Sequence, residues 1–222
     1  MDTPQVEILP DAASVASRAA DVVVAHARAA VGSCGVFTFA VSGGSTPWSM
    51  FAALVRLDFP WKRTTIYQVD ERVAPTGDAT RNLTHLRESL PPDTTVRVRP
   101  MPVEDADLEA AAQRYARSFP ERFDLIHLGL GPDGHTASLV PDDPVLDVSG
   151  RCVAVTEPYM GQQRMTLTYP AIDRARALLW VVTGADKRDA LTRLLAHDPS
   201  IPAGRVNAER ALVLADADAA GS

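Results

Sequence analysis

Hydrophobic residues in this chain form short continuous runs separated by longer segments in which apolar positions recur at helical spacing. Short apolar runs bounded by turn formers are typical of strands buried on both faces, as in parallel sheets. The pattern predicts strands at 6–9, 35–41, 64–69, 96–98, 124–129, 152–156, 165–168, 177–183 and 211–215.

The segments between these strands predict helices. Asp11 can cap the first helix, and Gly32 suits its end. The predicted helices are 11–31, 47–55, 80–90, one from Asp105 or Asp107 to 118, and 184–196. Strands that alternate with helices indicate an α/β fold, with a mainly parallel sheet covered by helices on both faces. A small extra β region is also compatible with the pattern. Residues 1–222 are expected to form a single domain, with a disordered Asp/Ala/Gly/Ser tail at 216–222.

Polar motifs follow four of the predicted strands, directly after Val41, Val69, Leu128 and Thr183. If these strands are parallel, their carboxyl ends meet at one rim of the sheet, which is where ligands bind in open α/β folds. The sequence therefore predicts a single site built from four loops.

The longest of these motifs spans residues 129–141 and presents Asp133 and His135 after a buried strand. His135 is the candidate proton carrier, because an imidazole titrates near neutral pH. A structural histidine bonded to backbone carbonyls is the alternative, but the neighbouring Asp133 favours function. His127 lies inside the strand and is expected to be buried and structural.

This segment also matches the dinucleotide fingerprint G-x-G-x-x-G through Gly129, Gly131 and Gly134. That fingerprint requires a long helix after the third glycine, and Pro141 leaves no room for one. The chain has neither a nucleotide P-loop nor the G-x-S-x-G turn of serine hydrolases. No spacing typical of metal ligands is present, so neither a metal nor a cofactor is predicted.

Residues Ser42, Gly43 and Gly44 lie between a predicted strand and a predicted helix. Free backbone N–H groups and hydroxyls at the start of a helix can hold an anion, although this motif taken by itself favours a plain tight turn with a helix N-cap.

Charged side chains complete the candidate set. Arg72 can grip a phosphate or carboxylate with two hydrogen bonds, and Asp70 can orient a hydroxyl or move a proton. For Glu71 a solvated surface turn is the favoured interpretation. Lys187 follows Gly184 at the start of a helix, where only a bound anion would favour a cation, and Arg164 is a further candidate.

Composition narrows the possible partners. The 222 residues are 46% hydrophobic and carry a net charge of −6, with no basic run, which argues against nucleic acid as the main partner. Two cysteines indicate no disulfide framework. Neither a signal peptide nor a membrane-spanning run is visible, so a soluble cytoplasmic protein with no membrane partner is expected. A monomer is expected.

Together the motifs resemble the 6-phosphogluconolactonase family, within the wider glucosamine-6-phosphate isomerase/lactonase group. The resemblance extends from about residue 36 to about residue 190, and its segments occur in the family's order. Two positions depart from the family pattern: Arg81 stands where Ser is usual, and Val140 where an aromatic residue is usual. The segments are Val-Ser-Gly-Gly-Ser-Thr-Pro at 41–47, Val-Asp-Glu-Arg at 69–72 with Asn82 downstream, 129–141, Arg-Met-Thr-Leu-Thr at 164–168 and Gly-Ala-Asp-Lys at 184–187.

The resemblance implies a Rossmann-like fold of the NagB type and hydrolysis of 6-phospho-D-glucono-1,5-lactone, a sugar phosphate lactone, in the oxidative pentose phosphate pathway. His135 would accept a proton from the attacking water, and Asp133 would hold the loop or the imidazole. Ser42, Gly43, Gly44, Arg72 and Lys187 would bind the phosphate. Backbone N–H groups of the glycine loop would stabilise the oxyanion.

Two alternatives remain open at this point. A glucosamine-6-phosphate deaminase of the same fold would use Asp70 as its base, but that branch typically has Phe-Asn-Glu-Pro where this chain has Ser-Leu-Val-Pro at 138–141, and Tyr where it has Arg72. A non-catalytic sugar-phosphate sensor would usually add a helix-turn-helix domain, for which no room is expected before the first strand.

Overall fold

A seven-stranded sheet forms the centre of the molecule, and all its strands are parallel. The computed structural model describes residues 4–221. The strand order β1-β10-β9-β6-β2-β3-β5 confirms the predicted parallel sheet. The strands of both sheets are β1 (Gln5–Leu9), β2 (Phe37–Val41), β3 (Thr64–Gln68), β4 (Asp70–Arg72), β5 (Arg97–Arg99), β6 (Leu125–Leu128), β7 (Val153–Val155), β8 (Arg164–Leu167), β9 (Leu178–Val182) and β10 (Ala211–Asp216).

The chain reverses its winding direction at β2. Strands β3 and β5 add to one side of β2, whereas β6 and β9 add to the other. The loops that leave β2 and β6 therefore diverge and leave a crevice at the carboxyl end of the sheet, which is the usual ligand position in such folds. The first of these loops contains Ser42 to Gly44, and the second contains Gly129 to Gly134.

A second, three-stranded antiparallel sheet has the order β4-β8-β7. It corresponds to the small extra β region. Residues 70–72, which are predicted as a polar motif directly after the third strand, form the separate strand β4 and pair with β8. Val69 separates β3 from β4, and its N–H donates to the carbonyl of Val41 while its carbonyl accepts from Leu167. This residue therefore joins the two sheets.

Helices cover both faces of the parallel sheet, and each face has its own apolar core. Helices α1, α2 and α3 pack into one core, and α4, α6, α7 and the small sheet pack into the other. The helices are α1 (Ala12–Cys34), α2 (Ser45–Leu54), α3 (Asn82–Glu88), α4 (Leu108–Ala116), α5 (Tyr169–Ile172), α6 (Arg188–Leu195) and α7 (Ala217–Ala220). Within residues 4–221, none of these helices is long and apolar enough to cross a membrane.

The carboxyl terminus differs from its prediction. Residues 216–222 are predicted as a disordered tail, but Asp216 ends β10 and caps α7. Its carboxylate accepts hydrogen bonds from the backbone N–H of Ala219 at 2.8 Å and of Gly184 at 3.0 Å. Composition alone misses these contacts because Gly184 is distant in the sequence. Ser222 lies outside the described residues, and the single-domain prediction stays a prediction.

Candidate active site

A cavity of about 220 Å³ opens at the carboxyl ends of the parallel strands, where the four polar motifs were predicted to meet. Eight of the nine candidate residues line it, and the ninth, Asp133, lies behind His135. The predicted meeting of the four loops is therefore observed. The eight lining candidates are Ser42, Gly43, Gly44, Asp70, Arg72, His135, Arg164 and Lys187.

His135 and Asp133 form a hydrogen-bonded pair in the loop after β6. Nδ1 of His135 lies 2.5 Å from Oδ1 of Asp133, and the backbone N–H of His135 donates to the same oxygen at 3.2 Å. Gly131 permits this approach: a Cβ there would lie 2.1 Å from Nδ1 of His135 and 2.6 Å from Oδ1 of Asp133. Gly134 supplies the turn with a φ of 82°. No helix follows this glycine, as the position of Pro141 predicted.

The charge of Asp133 sets the tautomer of His135. Burial alone would raise the pKa of Asp133, but the charge and hydrogen bonds of His135 and a hydrogen bond from Tyr159 outweigh it and hold the pKa below its ordinary value. The carboxylate is therefore ionised at neutral pH and accepts the Nδ1 proton of His135. A neutral imidazole then carries its lone pair on Nε2, which is the atom that can accept a proton.

Three cations face the cavity. Arg72 donates from Nη1 to Oδ1 of Asn82 at 2.5 Å, and Lys187 lies 3.0 Å from Oδ2 of its neighbour Asp186. Arg164 is buried, and its Nε has no hydrogen-bond partner among residues 4–221. Burial lowers the pKa of Arg164, Asp70 partly opposes this, and Arg72 adds to it. The guanidinium nevertheless stays charged at neutral pH, since an arginine pKa begins far above it. A buried cation with a free donor is suited to an anionic ligand.

The loop after β2 brings backbone to the cavity wall. Gly44 precedes α2 with a φ of 121° and gives the helix no side-chain cap, so its first N–H groups have no side-chain acceptor, and Ser45 and Thr46 of this first turn line the cavity. Gly43 must be a glycine because a Cβ there would lie 1.8 Å from Oδ1 of Asn82. Ser42 is buried, and its hydroxyl donates to the carbonyl of His127 at 3.1 Å. Ser42 therefore makes a structural hydrogen bond and also lines the cavity.

Asp70 and Glu71 are both buried, whereas a surface turn would expose them to solvent. Asp70 lines the cavity and accepts a hydrogen bond from the hydroxyl of Ser138 at 2.8 Å. The interpretation of Glu71 as solvated is wrong, because its side chain is fully buried and lies 3.0 Å from Nε of Arg81. Strand β4 directs its carboxylate inward, under the start of α3, where it accepts from the N–H groups of Asn82 and Leu83.

Sequence reasoning gave no role to three residues of the site. Asn82 connects Arg72 to Asp70 through its side-chain amide, and Ser138 holds Asp70. Tyr159 donates from its hydroxyl to Oδ2 of Asp133 at 3.0 Å. Asn82 and Ser138 had a signal, since Asn82 and the segment 129–141 belong to the family pattern, whereas Tyr159 is brought in by the hairpin between β7 and β8. These contacts depend on tertiary structure.

The glycine loop offers fewer free amides than expected for an oxyanion hole. The N–H of Gly131 donates to the carbonyl of His135, the N–H of Gly134 donates to the carbonyl of Gly131, and the N–H of His135 faces Asp133. These three groups are already engaged. Residues 4–221 contain no cluster of three or more His, Cys, Asp or Glu side chains placed to hold a metal ion. The absence of a metal or cofactor stays a prediction.

Residues 10–214 match the sequence model of the family described as glucosamine-6-phosphate isomerases/6-phosphogluconolactonase. A 6-phosphogluconolactonase of Synechocystis sp. is 37% identical over 209 residues, which are 88% of this chain and 86% of the relative. The chain belongs to this family. The resemblance inferred from the motifs is thereby confirmed.

Solved structures agree with membership of the glucosamine-6-phosphate isomerase/6-phosphogluconolactonase family. The 6-phosphogluconolactonase of Thermotoga maritima superposes with a TM-score of 0.85 and 25% identity, covering 96% of this chain and 98% of the other. A monomeric glucosamine-6-phosphate deaminase gives a TM-score of 0.86 at 17% identity, covering 98% and 99%. The second likeness shows the fold alone, so both branches of the family share this architecture.

Proposed function

We propose that this protein hydrolyses 6-phospho-D-glucono-1,5-lactone to 6-phosphogluconate, the lactonase step of the oxidative pentose phosphate pathway. The relatives named above as 6-phosphogluconolactonases support the substrate. The single observation that carries the chemistry is the placement of the His135–Asp133 pair on a cavity that three cations also face.

His135 is proposed as the general base. With Nδ1 bonded to ionised Asp133, its Nε2 can take a proton from water as the water oxygen attacks C1 of the lactone. The resulting tetrahedral intermediate collapses by breaking the bond between C1 and the ring oxygen. The imidazolium then returns its proton to that oxygen, so the products are the open acid and an unchanged enzyme. Asp133 stabilises the imidazolium between the two transfers.

The phosphate is proposed to bind among Arg72, Arg164 and Lys187, with the loop of Ser42 to Gly44 beneath it. The amino-terminal end of α2 adds backbone N–H donors and a favourable dipole. These cations meet at one cavity although the chain as a whole carries a net charge of −6. Asp70 is proposed to accept a hydrogen bond from a sugar hydroxyl, since Ser138 and Asn82 already orient its carboxylate.

The test is the decay of freshly generated lactone in chelator-treated enzyme, with the spontaneous rate subtracted. His135→Ala is expected to lower kcat roughly 10²- to 10⁴-fold, the range typical of a lost general base. His26→Ala is the matched control, because His26 lies in helix α1 and is not among the residues that line this cavity. A wild-type enzyme that does not accelerate lactone decay would overturn the function, and a fully active His135→Ala enzyme would move the base to Asp70.

A deaminase of the same fold is tested in parallel with glucosamine 6-phosphate. The segment that should carry an acid in that branch instead has Ser138, Leu139 and Val140, all buried. We therefore expect no release of ammonia. Ammonia release at a rate above that of lactone hydrolysis would reverse the assignment.

A further inference from the structure

A short hairpin between β7 and β8 lies beside the cavity, in contact with His135 and Arg164. Tyr159 and Gln162 exchange backbone hydrogen bonds, and the two residues between them, Met160 and Gly161, have φ values of 51° and 79°. Such a pair of positive φ angles forms a tight two-residue turn. Gln162 donates from Nε2 to the hydroxyl of Thr80 at 3.2 Å, which ties the hairpin to the segment that precedes α3. Tyr159 is therefore carried by a closed turn with a fixed direction.

Tyr159 contacts three members of the site at once. Its hydroxyl donates to Oδ2 of Asp133 at 3.0 Å. Its ring meets the ring of His135 edge to face, with centroids 5.8 Å apart and an angle of 62°. The guanidinium carbon of Arg164 lies 4.9 Å from the centre of the same ring. One side chain thus joins the proton carrier, its carboxylate partner and a buried cation.

We propose that Tyr159 is a positioning residue for the hydrolysis: its hydroxyl fixes Asp133 for His135, and its ring fixes Arg164 for the substrate phosphate. This inference rests on the proposed function of the site. The two halves of the side chain have separate tasks, so they can be removed separately.

The hydroxyl acts through the carboxylate. Asp133 offers Oδ1 to His135 and Oδ2 to Tyr159, so both oxygens are engaged and the carboxylate cannot rotate freely. Burial raises the pKa of Tyr159, and the hydrogen bond and charge of Asp133 raise it further. The phenol therefore keeps its proton at neutral pH and remains a donor. Without the hydroxyl of Tyr159, Oδ2 of Asp133 would bond to exchanging water molecules. The carboxylate could then rotate, and the imidazole of His135 would lose part of its fixed orientation.

The ring acts through the guanidinium. Arg164 is buried, and its Nε finds no acceptor among residues 4–221. An aromatic face compensates a desolvated cation and sets the plane of the guanidinium without consuming its N–H donors. Those donors remain available for the phosphate. Loss of the ring should therefore weaken binding of the phosphate, whereas loss of the hydroxyl alone should not.

The experiment compares Tyr159→Phe with Tyr159→Leu in lactone hydrolysis and in calorimetric binding of the product, 6-phosphogluconate. Tyr159→Phe keeps the ring, so kcat should fall roughly tenfold, as expected for a lost hydrogen bond to a charged group, while KM and product affinity stay within about twofold of wild type. Tyr159→Leu should show the same fall in kcat and, in addition, roughly three- to tenfold weaker product binding.

Tyr169→Phe is the matched control, because it also removes a phenolic hydrogen bond, from Tyr169 to the carbonyl of Pro202 at 2.8 Å, but lies outside the cavity. It should leave kcat, KM and product affinity unchanged. Melting temperatures of all three variants separate positioning from general destabilisation.

The outcomes distinguish this inference from the proposed function. If wild type hydrolyses the lactone, His135→Ala does not, and Tyr159→Phe retains the wild-type kcat, the role of the hydroxyl is wrong and the function stands. If Tyr159→Leu binds product as tightly as wild type, the role of the ring is wrong. If Tyr159→Phe and Tyr159→Leu lose kcat and product affinity equally, and in proportion to their fall in melting temperature, Tyr159 is a structural residue and not a positioning residue. An inactive wild type would overturn the function first.

Discussion

At the scale of single residues, Glu71 is a buried charged side chain that organises the backbone around it through hydrogen bonds. Its fully buried carboxylate accepts four hydrogen bonds and lies beside Arg81, which is 2% exposed. Because the carboxylate also satisfies the first N–H groups of α3, it replaces the missing side-chain cap of that helix. The four donors are the side-chain amide of Gln68 and the backbone N–H groups of Arg72, Asn82 and Leu83.

Glu71→Gln is expected to lower the free energy of unfolding by about 3–5 kcal/mol, since it leaves buried Arg81 with only the half-exposed Glu104, 4.0 Å away, as a counterion. Activity should fall as well, because α3 carries Asn82 to the cavity. Denaturant unfolding monitored by circular dichroism measures the change. Glu88→Gln, at an exposed pair with His85, is the control and should change stability little. Equal stability of the two variants would contradict the role assigned to Glu71.

At the scale of elements, the end of α1 lies at a different residue in the structure than the local sequence predicts. The sequence places the end at Gly32, but the helix continues to Cys34, and Gly35 forms the left-handed cap with a φ of 82°. Both glycines are compatible with a helix end in the sequence. The structure assigns that role to the second, whose N–H donates to the carbonyl of Val31.

Opposite effects are therefore expected from the same substitution at the two positions. Gly32→Ala should stabilise the protein by about 0.5–1 kcal/mol, because alanine is the better helix former and a Cβ there meets nothing within 4 Å. Gly35→Ala should destabilise it by about 1 kcal/mol, since a Cβ disfavours positive φ. Urea unfolding of the two variants measures both signs. Stabilisation by Gly35→Ala would show that the helix ends at Gly32 after all.

At the scale of the whole molecule, burial of His127 couples folding to pH. This imidazole lies in β6 with no exposed surface, and neither ring nitrogen has a hydrogen-bond partner among residues 4–221. The sequence expectation of a buried, structural histidine is confirmed. Burial lowers the pKa of His127 to about 3, because a charged imidazole would lose its hydration.

The sign of the pH effect follows from proton uptake. An unfolded histidine titrates near pH 6.5, so below that pH the unfolded chain binds a proton that the folded protein excludes. The contribution of His127 to the free energy of unfolding is fully present above about pH 6.5. It is lost as the pH falls toward about 3, the pKa of the folded imidazole. Between pH 7 and pH 5 the loss from this group is about 2 kcal/mol.

His127→Leu should remove that loss. The difference in unfolding free energy between wild type and variant is expected to shift by about 2 kcal/mol between pH 7 and pH 5, in favour of the variant at the lower pH. Urea unfolding at both pH values provides the measurement, and His85→Gln at an exposed site is the control. A parallel loss in wild type and His127→Leu would mean that His127 is protonated while folded.

The sequence alone determined the frame of this protein. Buried parallel strands appear as continuous apolar runs, and their polar ends must meet at one rim. The parallel sheet and the shared location of eight of the nine candidate residues were therefore predictable. His135 and Asp133 were predictable as neighbours, because only two positions separate them in a glycine-rich turn. The family followed from the order of the motifs.

Only the tertiary structure decided which polar groups are buried and which partners they find. Glu71 and Asp70 are adjacent in the sequence, yet one caps a helix from inside the core and the other faces the cavity, because the pairing of β4 with β8 sends them to opposite sides. Tyr159 reaches Asp133 across 26 positions, on a hairpin whose direction no local pattern specifies. Such contacts depend on how two sheets are joined, and hydrophobic periodicity reports burial along one strand at a time.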